Sequence, residues 1–141
     1  MKKNLLLAFF SMLFSMVCYA QTTPVDLPVT FDDANVNYAL VDFGGNVSSL
    51  VADPVAPANM ACQVIKTATA QTWAGTTIGG TIGFANAIPF SAGATTMTMR
   101  VYSPDAGTPV RMKVEDPNDP TKSVETQVVT TTSNAWEVLT F

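Results

Sequence analysis

The chain reads as an all-β protein, a two-sheet antiparallel β-sandwich, on three observations. Apolar residues recur with period two: Met97, Met99 and Val101 alternate with Thr98, Arg100 and Tyr102, and Val110, Met112 and Val114 alternate with Arg111, Lys113 and Glu115. That is the pattern of a half-buried strand, whose successive side chains point to opposite faces. After residue 20 no stretch holds apolar residues at i, i+3 and i+4 long enough for a helix, and Pro and Gly interrupt the chain at short intervals. Many short strands at turn-marked spacing is the signature of a sandwich.

The first twenty residues stand apart. MKKNLLLAFFSMLFSMVCYAQ places Lys2 and Lys3 before an uncharged apolar run from Leu5 to Val17, with Cys18 and Ala20 as a small-x-small ending. This is the layout of a secretory signal peptide over 1–20, cleaved after Ala20, and its apolar run is too short for a comfortable membrane span. The mature protein is therefore expected to be secreted or held at the cell surface, with no membrane span after cleavage. Only Cys62 then remains, so no intrachain disulfide can form. Residues 21–28 read as a short linker and 29–141 as the sandwich domain.

Within that domain a first strand is expected at PVTF, before Asp32 and Asp33. Less regular strands follow at Tyr38–Phe43, Val47–Val51, Ala61–Thr67 and around Thr72–Ile78, separated by GG, DPVAPAN and TATAQ. The two alternating runs come next, joined by SPDAGTP. Its Pro104, Asp105 and Gly107 favour a turn through fixed φ, a side chain that bonds its own backbone, and tolerance of positive φ. After DPNDPT, the runs KSVETQVVTTT and AWEVLTF complete four consecutive strands, as a meander or a Greek key. Phe141 stops the sequence inside the last of these, which predicts a sandwich incomplete at its final strand, with further modules downstream in a longer protein. An exposed edge of that kind promotes aggregation.

Composition narrows the function. Without the two signal lysines the chain carries five basic and eleven acidic residues, a net charge of −6, with no basic cluster. Nucleic-acid binding relies on neutralising phosphates and is excluded on that ground. There is no histidine, and Cys62 has no partner for a thiolate site. The carboxylates Glu115, Asp116, Asp119, Glu125 and Glu137 read as a solvated strand face and a turn, not as the opposed pair of a glycosidase.

The face opposite the predicted core is the candidate binding surface. With Met97, Met99, Val101, Val110, Met112, Val114, Val124 and Val128 pointing inward, alternation puts Arg100, Tyr102, Arg111, Lys113, Glu115, Glu125 and Gln127 outward. Guanidinium, amide and carboxylate groups bond vicinal hydroxyls, and an aromatic ring stacks on the C–H face of a pyranose. The bland alternative is that Arg111 or Lys113 against Glu125 merely keeps the face soluble. Trp73, in AQTWAGTTIGG, lies among small and hydroxyl-bearing residues with no aliphatic neighbour before Ile78, and is the candidate stacking ring. Asp32 and Asp33 are the candidate ligands of a structural Ca²⁺, with an Asx-turn as the competing reading.

PVTFDDANVNYALVDFGG, KTATAQTWAGTTIG, MTMRVYSPDAGTPVRMKVED and NAWEVLTF together resemble the galactose-binding-like, jelly-roll β-sandwich of carbohydrate-binding modules in secreted multimodular proteins of marine bacteria. Such modules often accompany laminarinase-type catalytic domains. The resemblance covers nearly all of the mature chain. It implies non-catalytic binding of a polysaccharide such as the β-glucan laminarin, Trp73 as the stacking ring, Asp32 as an ion ligand near the first strand, and Trp136 as a structural residue. Two other readings stand beside it: a structural or adhesive spacer, and the N-terminal fragment of a glycoside hydrolase. A fully buried Trp73 would favour the spacer.

Overall fold

A computed structural model describes residues 22–141; the predicted signal peptide lies outside the described residues. Every regular element within them is a strand: β1 (Thr23–Pro24), β2 (Val36–Asn37), β3 (Val41–Phe43), β4 (Asn46–Ala52), β5 (Met60–Lys66), β6 (Gly75–Thr77), β7 (Thr98–Ser103), β8 (Pro109–Asp116), β9 (Asp119–Val129) and β10 (Ala135–Thr140). They pair into five two-stranded sheets. One, β1 with β2, is parallel; β3 with β6, β4 with β5, β7 with β10 and β8 with β9 are antiparallel. The molecule is all-β with several antiparallel sheets, as a β-sandwich requires. Among the described residues no helix is long and apolar enough to cross a membrane.

The stretch read as a linker contributes β1 and also Val25, which at 1 % exposure is the most buried large side chain described. The strand expected at PVTF does not form. Phe31 takes a φ of 64°, outside the strand region, and its ring packs at 5.0 Å on Tyr38. The run expected over Tyr38–Phe43 is broken for a similar reason: Asn37 accepts the Ala39 amide on its side chain and Ala39 sits at a φ of 42°.

The last four strands nest. β7 pairs with β10, with Tyr102 opposite Trp136 and Arg100 opposite Val138, while β8 and β9 form a hairpin between them in sequence. A simple meander is thereby excluded. A knot of hydroxyls at the hairpin's base explains the nesting. Buried Thr130 exchanges backbone bonds with Gly107 and Thr108, its hydroxyl donates to the Asp105 carbonyl, and the Ser103 hydroxyl donates to that same carbonyl. The turn after Tyr102 is thus anchored to the far end of β9, which leaves β7 free to take β10.

Core burial is thin. Val25, Tyr38 and Leu139 are the buried apolar side chains described. Met97, Met99, Val101, Val110, Met112, Val114 and Val128 are half-buried as the alternation predicts, but Val124, expected inward, is 63 % exposed, like most of β9, which pairs with β8 alone in a two-stranded sheet.

Candidate functional site

Trp73 is positioned by a loop laid on a glycine turn. β3 ends at Phe43, and Gly44 and Gly45 turn the chain into β4 with φ values of 67° and 89°, a region closed to most side chains. The Gly44 carbonyl accepts the Gln71 amide at 2.8 Å and the Gly45 carbonyl accepts the Thr67 hydroxyl at 2.8 Å. Ala70 lies against Gly45 and Ala74 against Gly44 so closely that a Cβ on either glycine would sit about 3 Å from the alanine's Cα. The small residues around Trp73 are therefore what allows residues 67–74 to lie flat on the turn.

The indole itself is 59 % exposed. Its Cζ3 would stand 2.8 Å from a Cβ on Gly44, and its plane lies within 9° of the Phe43 ring, centroids 6.2 Å apart. Phe43 in turn rests on Gly75, its cross-strand partner, and is 41 % exposed. Lys66 donates to the Thr72 carbonyl at 2.7 Å, which brings an ammonium to the loop beside Trp73.

On the other face of the same ribbon the side chains lock inward. Asp42 Oδ1 accepts from the Thr76 hydroxyl at 2.7 Å and from Asn46 Nδ2 at 3.0 Å, and Oδ2 accepts the Ser48 amide at 2.8 Å. The Thr76 bond foremost, with the Ser48 and Asn46 bonds, outweighs burial and holds the Asp42 carboxyl at about 2. Ionised at neutral pH, Asp42 ties β3, β4 and β6 together beneath the aromatic pair.

Trp136 has the opposite setting. Its Nε1–H donates to Asp53 Oδ1 at 3.0 Å, Tyr102 meets it edge-on at 5.7 Å, and the Arg100 guanidinium lies 4.8 Å above its ring. Asp53 is 5 % exposed and also accepts the Val55 and Ala56 amides. The Trp136 bond foremost lowers the Asp53 carboxyl, with the Arg100 charge a smaller contribution in the same direction. Trp136 is thus a half-buried tie between the β4–β5 loop and β10, and Arg100 and Tyr102 serve it.

The remaining candidate residues lie on the β8–β9 hairpin. Arg111 pairs with Glu125 at 3.3 Å and donates to Gln127 at 3.2 Å, and Lys113 pairs with Glu115 at 2.6 Å. The eight predicted binding residues therefore fall into three groups: Trp73 on the glycine turn, Arg100 and Tyr102 around Trp136, and Arg111, Lys113, Glu115, Glu125 and Gln127 on the hairpin. The expected single face assumed β8 beside β7. Phe43 escaped the sequence reading; the signal that could have found it is an aromatic directly before Gly-Gly.

Asp32 and Asp33 act locally. Asp32 Oδ1 accepts the amide of Met60, which points away from β4 at the open edge of β5, and Asp33 Oδ1 accepts both the amide and the side chain of Asn35 in an Asx-turn. Among the described residues no group of three or more His, Cys, Asp or Glu gathers there or elsewhere. Asp32 and Asp33 each use Oδ1 for these amides, and Ca²⁺ would need six to eight oxygen ligands brought together around them. Of the other carboxylates, Asp119 is lowered by Thr121 and Lys122, and Glu137, raised by burial, is brought below its usual range by Thr131 and Thr132.

No family model matches this chain, and neither a curated protein nor a solved structure matches it.

Proposed function

We propose that the protein is a non-catalytic carbohydrate-binding module of the galactose-binding-like β-sandwich type, carried by a secreted or surface protein and directing it to a polysaccharide of the β-glucan class. Laminarin is the ligand that the resemblance in sequence suggests. The observation that carries this reading is the 59 % exposure of Trp73, an indole whose Cζ3 edge meets the glycine turn at Gly44 while most of its surface is open to solvent. An apolar ring at the surface stacks on the C–H face of a pyranose, and Lys66, held beside it, can donate to hydroxyls. A few such contacts give weak binding per module, strengthened by multivalency in a longer protein.

Affinity electrophoresis of the full chain against a panel of soluble polysaccharides tests it, with retardation on at least one β-glucan expected and lost in Trp73→Ala. Absence of retardation on every glycan by a folded chain would overturn the reading. The spacer reading is favoured by a separate observation, the mutual pairing of Arg111 with Glu125 and Lys113 with Glu115, which leaves the hairpin's polar face satisfied without a ligand. It predicts no retardation on any glycan.

A further inference from the structure

We infer that the outer edge of β5 is a self-association surface, to which a second copy of this chain adds its own β5 antiparallel about a two-fold axis at Val64. The two sides of β5 are fixed by its bonds. The Asp53 amide donates to the Asn59 carbonyl at 2.9 Å, so the odd-numbered residues turn their backbone groups toward β4. The Met60 amide, donating to Asp32 Oδ1 at 2.6 Å, marks the even-numbered residues as facing away. Cys62, Val64 and Lys66 therefore present N–H and C=O groups on that side, and no strand among the described residues pairs with it. The outer side of β4 differs, since there the Ser48 amide is taken up by Asp42.

The middle of the β5 edge is unguarded. Charge, proline or a bulge blunts a free edge, yet residues 62–65 read CQVI and pair with β4 without irregularity. Val64 and Ile65 are 55 % and 49 % exposed on opposite faces of the ribbon, and exposed Leu50 and Val47 of β4 extend those faces. The charges lie at the ends, and they select the partner. Asp32 closes the Met60 end and Lys66 stands at the other; both are exposed, and neither forms an ion pair among the described residues. Turned antiparallel, a second copy brings each Lys66 toward the other's Asp32, whereas an in-register parallel copy sets like charge beside like. Asp32 also limits how far pairing runs, because it occupies the Met60 amide. Residues 62–66 remain, and centring them on Val64 pairs Cys62 with the second copy's Lys66 in an isologous contact of about six N–H···O bonds. Lys66 keeps two ammonium hydrogens beyond its bond to Thr72 for the facing Asp32 carboxylate.

Sedimentation equilibrium of the full chain over a concentration series, joined to hydrogen exchange of the β5 amides, tests this. A reversible monomer–dimer equilibrium is expected. The Cys62, Val64 and Lys66 amides should exchange slowly in the dimer and fast on dilution, while Gln63 and Ile65, bonded to β4, stay slow at both concentrations. Val64→Lys, which places two ammonium groups at the axis, should abolish the dimer. Asp32→Lys and Lys66→Glu should each weaken it by roughly 10-fold or more, and an equimolar mixture of the two should recover it as a heterodimer in which both cross-pairs join opposite charges. A monomer at every concentration, a dimer in which the three amides gain no protection, or one that Val64→Lys leaves intact would overturn the inference. So would failure of the two folded charge-reversed variants to associate when mixed.

Discussion

Trp136 and Trp73 are the same side chain in opposite circumstances. Trp136 has its N–H on a buried carboxylate, a guanidinium over one face and a phenol at its edge. Trp73 touches Gly44 and Phe43 and gives most of its surface to water. An indole whose polar and apolar parts are both satisfied by its own chain contributes to stability; one left open at the surface contributes little and is available for a partner. The two rings thus differ in what they do for the fold: Trp136 is tied into it, and Trp73 is left open at its surface.

Truncation separates them most widely. Trp136→Ala should lower stability by about 2–4 kcal/mol, toward the lower end of core aromatic deletions because the ring is half-buried, and it also strips Asp53 of a donor. Trp73→Ala should stay within about 1 kcal/mol of wild type. Urea midpoints measure both, and equal losses would abolish the distinction. In single-tryptophan variants, Trp136→Phe should leave a red-shifted, acrylamide-accessible emission from Trp73, and Trp73→Phe a bluer and less accessible one from Trp136.

The glycine bed can be broken next. Gly44→Ala combines a residue at a φ of 67° with a Cβ only 2.9 Å from the Ala74 backbone, and should cost roughly 1–3 kcal/mol. Neither flexible rotamers nor a side-chain shift can relieve that contact. Its signature beyond stability is a changed Trp73 emission, since the indole must move.

Acid titration tests the support beneath the aromatic pair. Asp42 falls from an ordinary 3.8 to about 2 in the folded chain, so its contribution to stability is present in full above about 4 and is lost as pH falls from there toward 2. Asp53, lowered as well, acts in the same direction. The urea midpoint should drop across that window, and Asp42→Asn should show a lower midpoint at neutral pH and a flatter acid limb. The smallest effect is expected on the hairpin. Arg111→Ala removes a pair whose side chains are about half exposed and should change stability by only about 0–1 kcal/mol, less in high salt.

Several of the strands were legible in advance. β4, β5, β8 and β10 lie within a residue or two of where period two and the turn residues put them, and β7 begins at Thr98 inside the run that started the reading. β9 begins earlier than expected, at Asp119, because the chain resumes pairing with Asp116 across a register shift. The N-terminal elements were less legible, since Phe31 and Ala39 adopt positive φ without a glycine to announce it. For the candidate site, the prominence of Trp73 could be read from its small neighbours, whereas its companion Phe43 could not, because β3 and β6 are joined by more than thirty intervening positions.

What the residues determined by themselves was local: strand character, the inward and outward alternation of β7 and β8, and an indole set among residues too small to enclose it. Tertiary structure alone decided the partners. The hydroxyl knot at Thr130 sends β7 to β10, so Arg100 and Tyr102 meet Trp136 and not the Arg111 face. Asp53 and Trp136 find each other across 83 positions, and Phe43 comes to lie parallel to Trp73 only because two glycines leave room for both rings. Periodicity records which way a side chain points from its own strand; which strand it faces depends on chain closure over long separations, which no local pattern encodes.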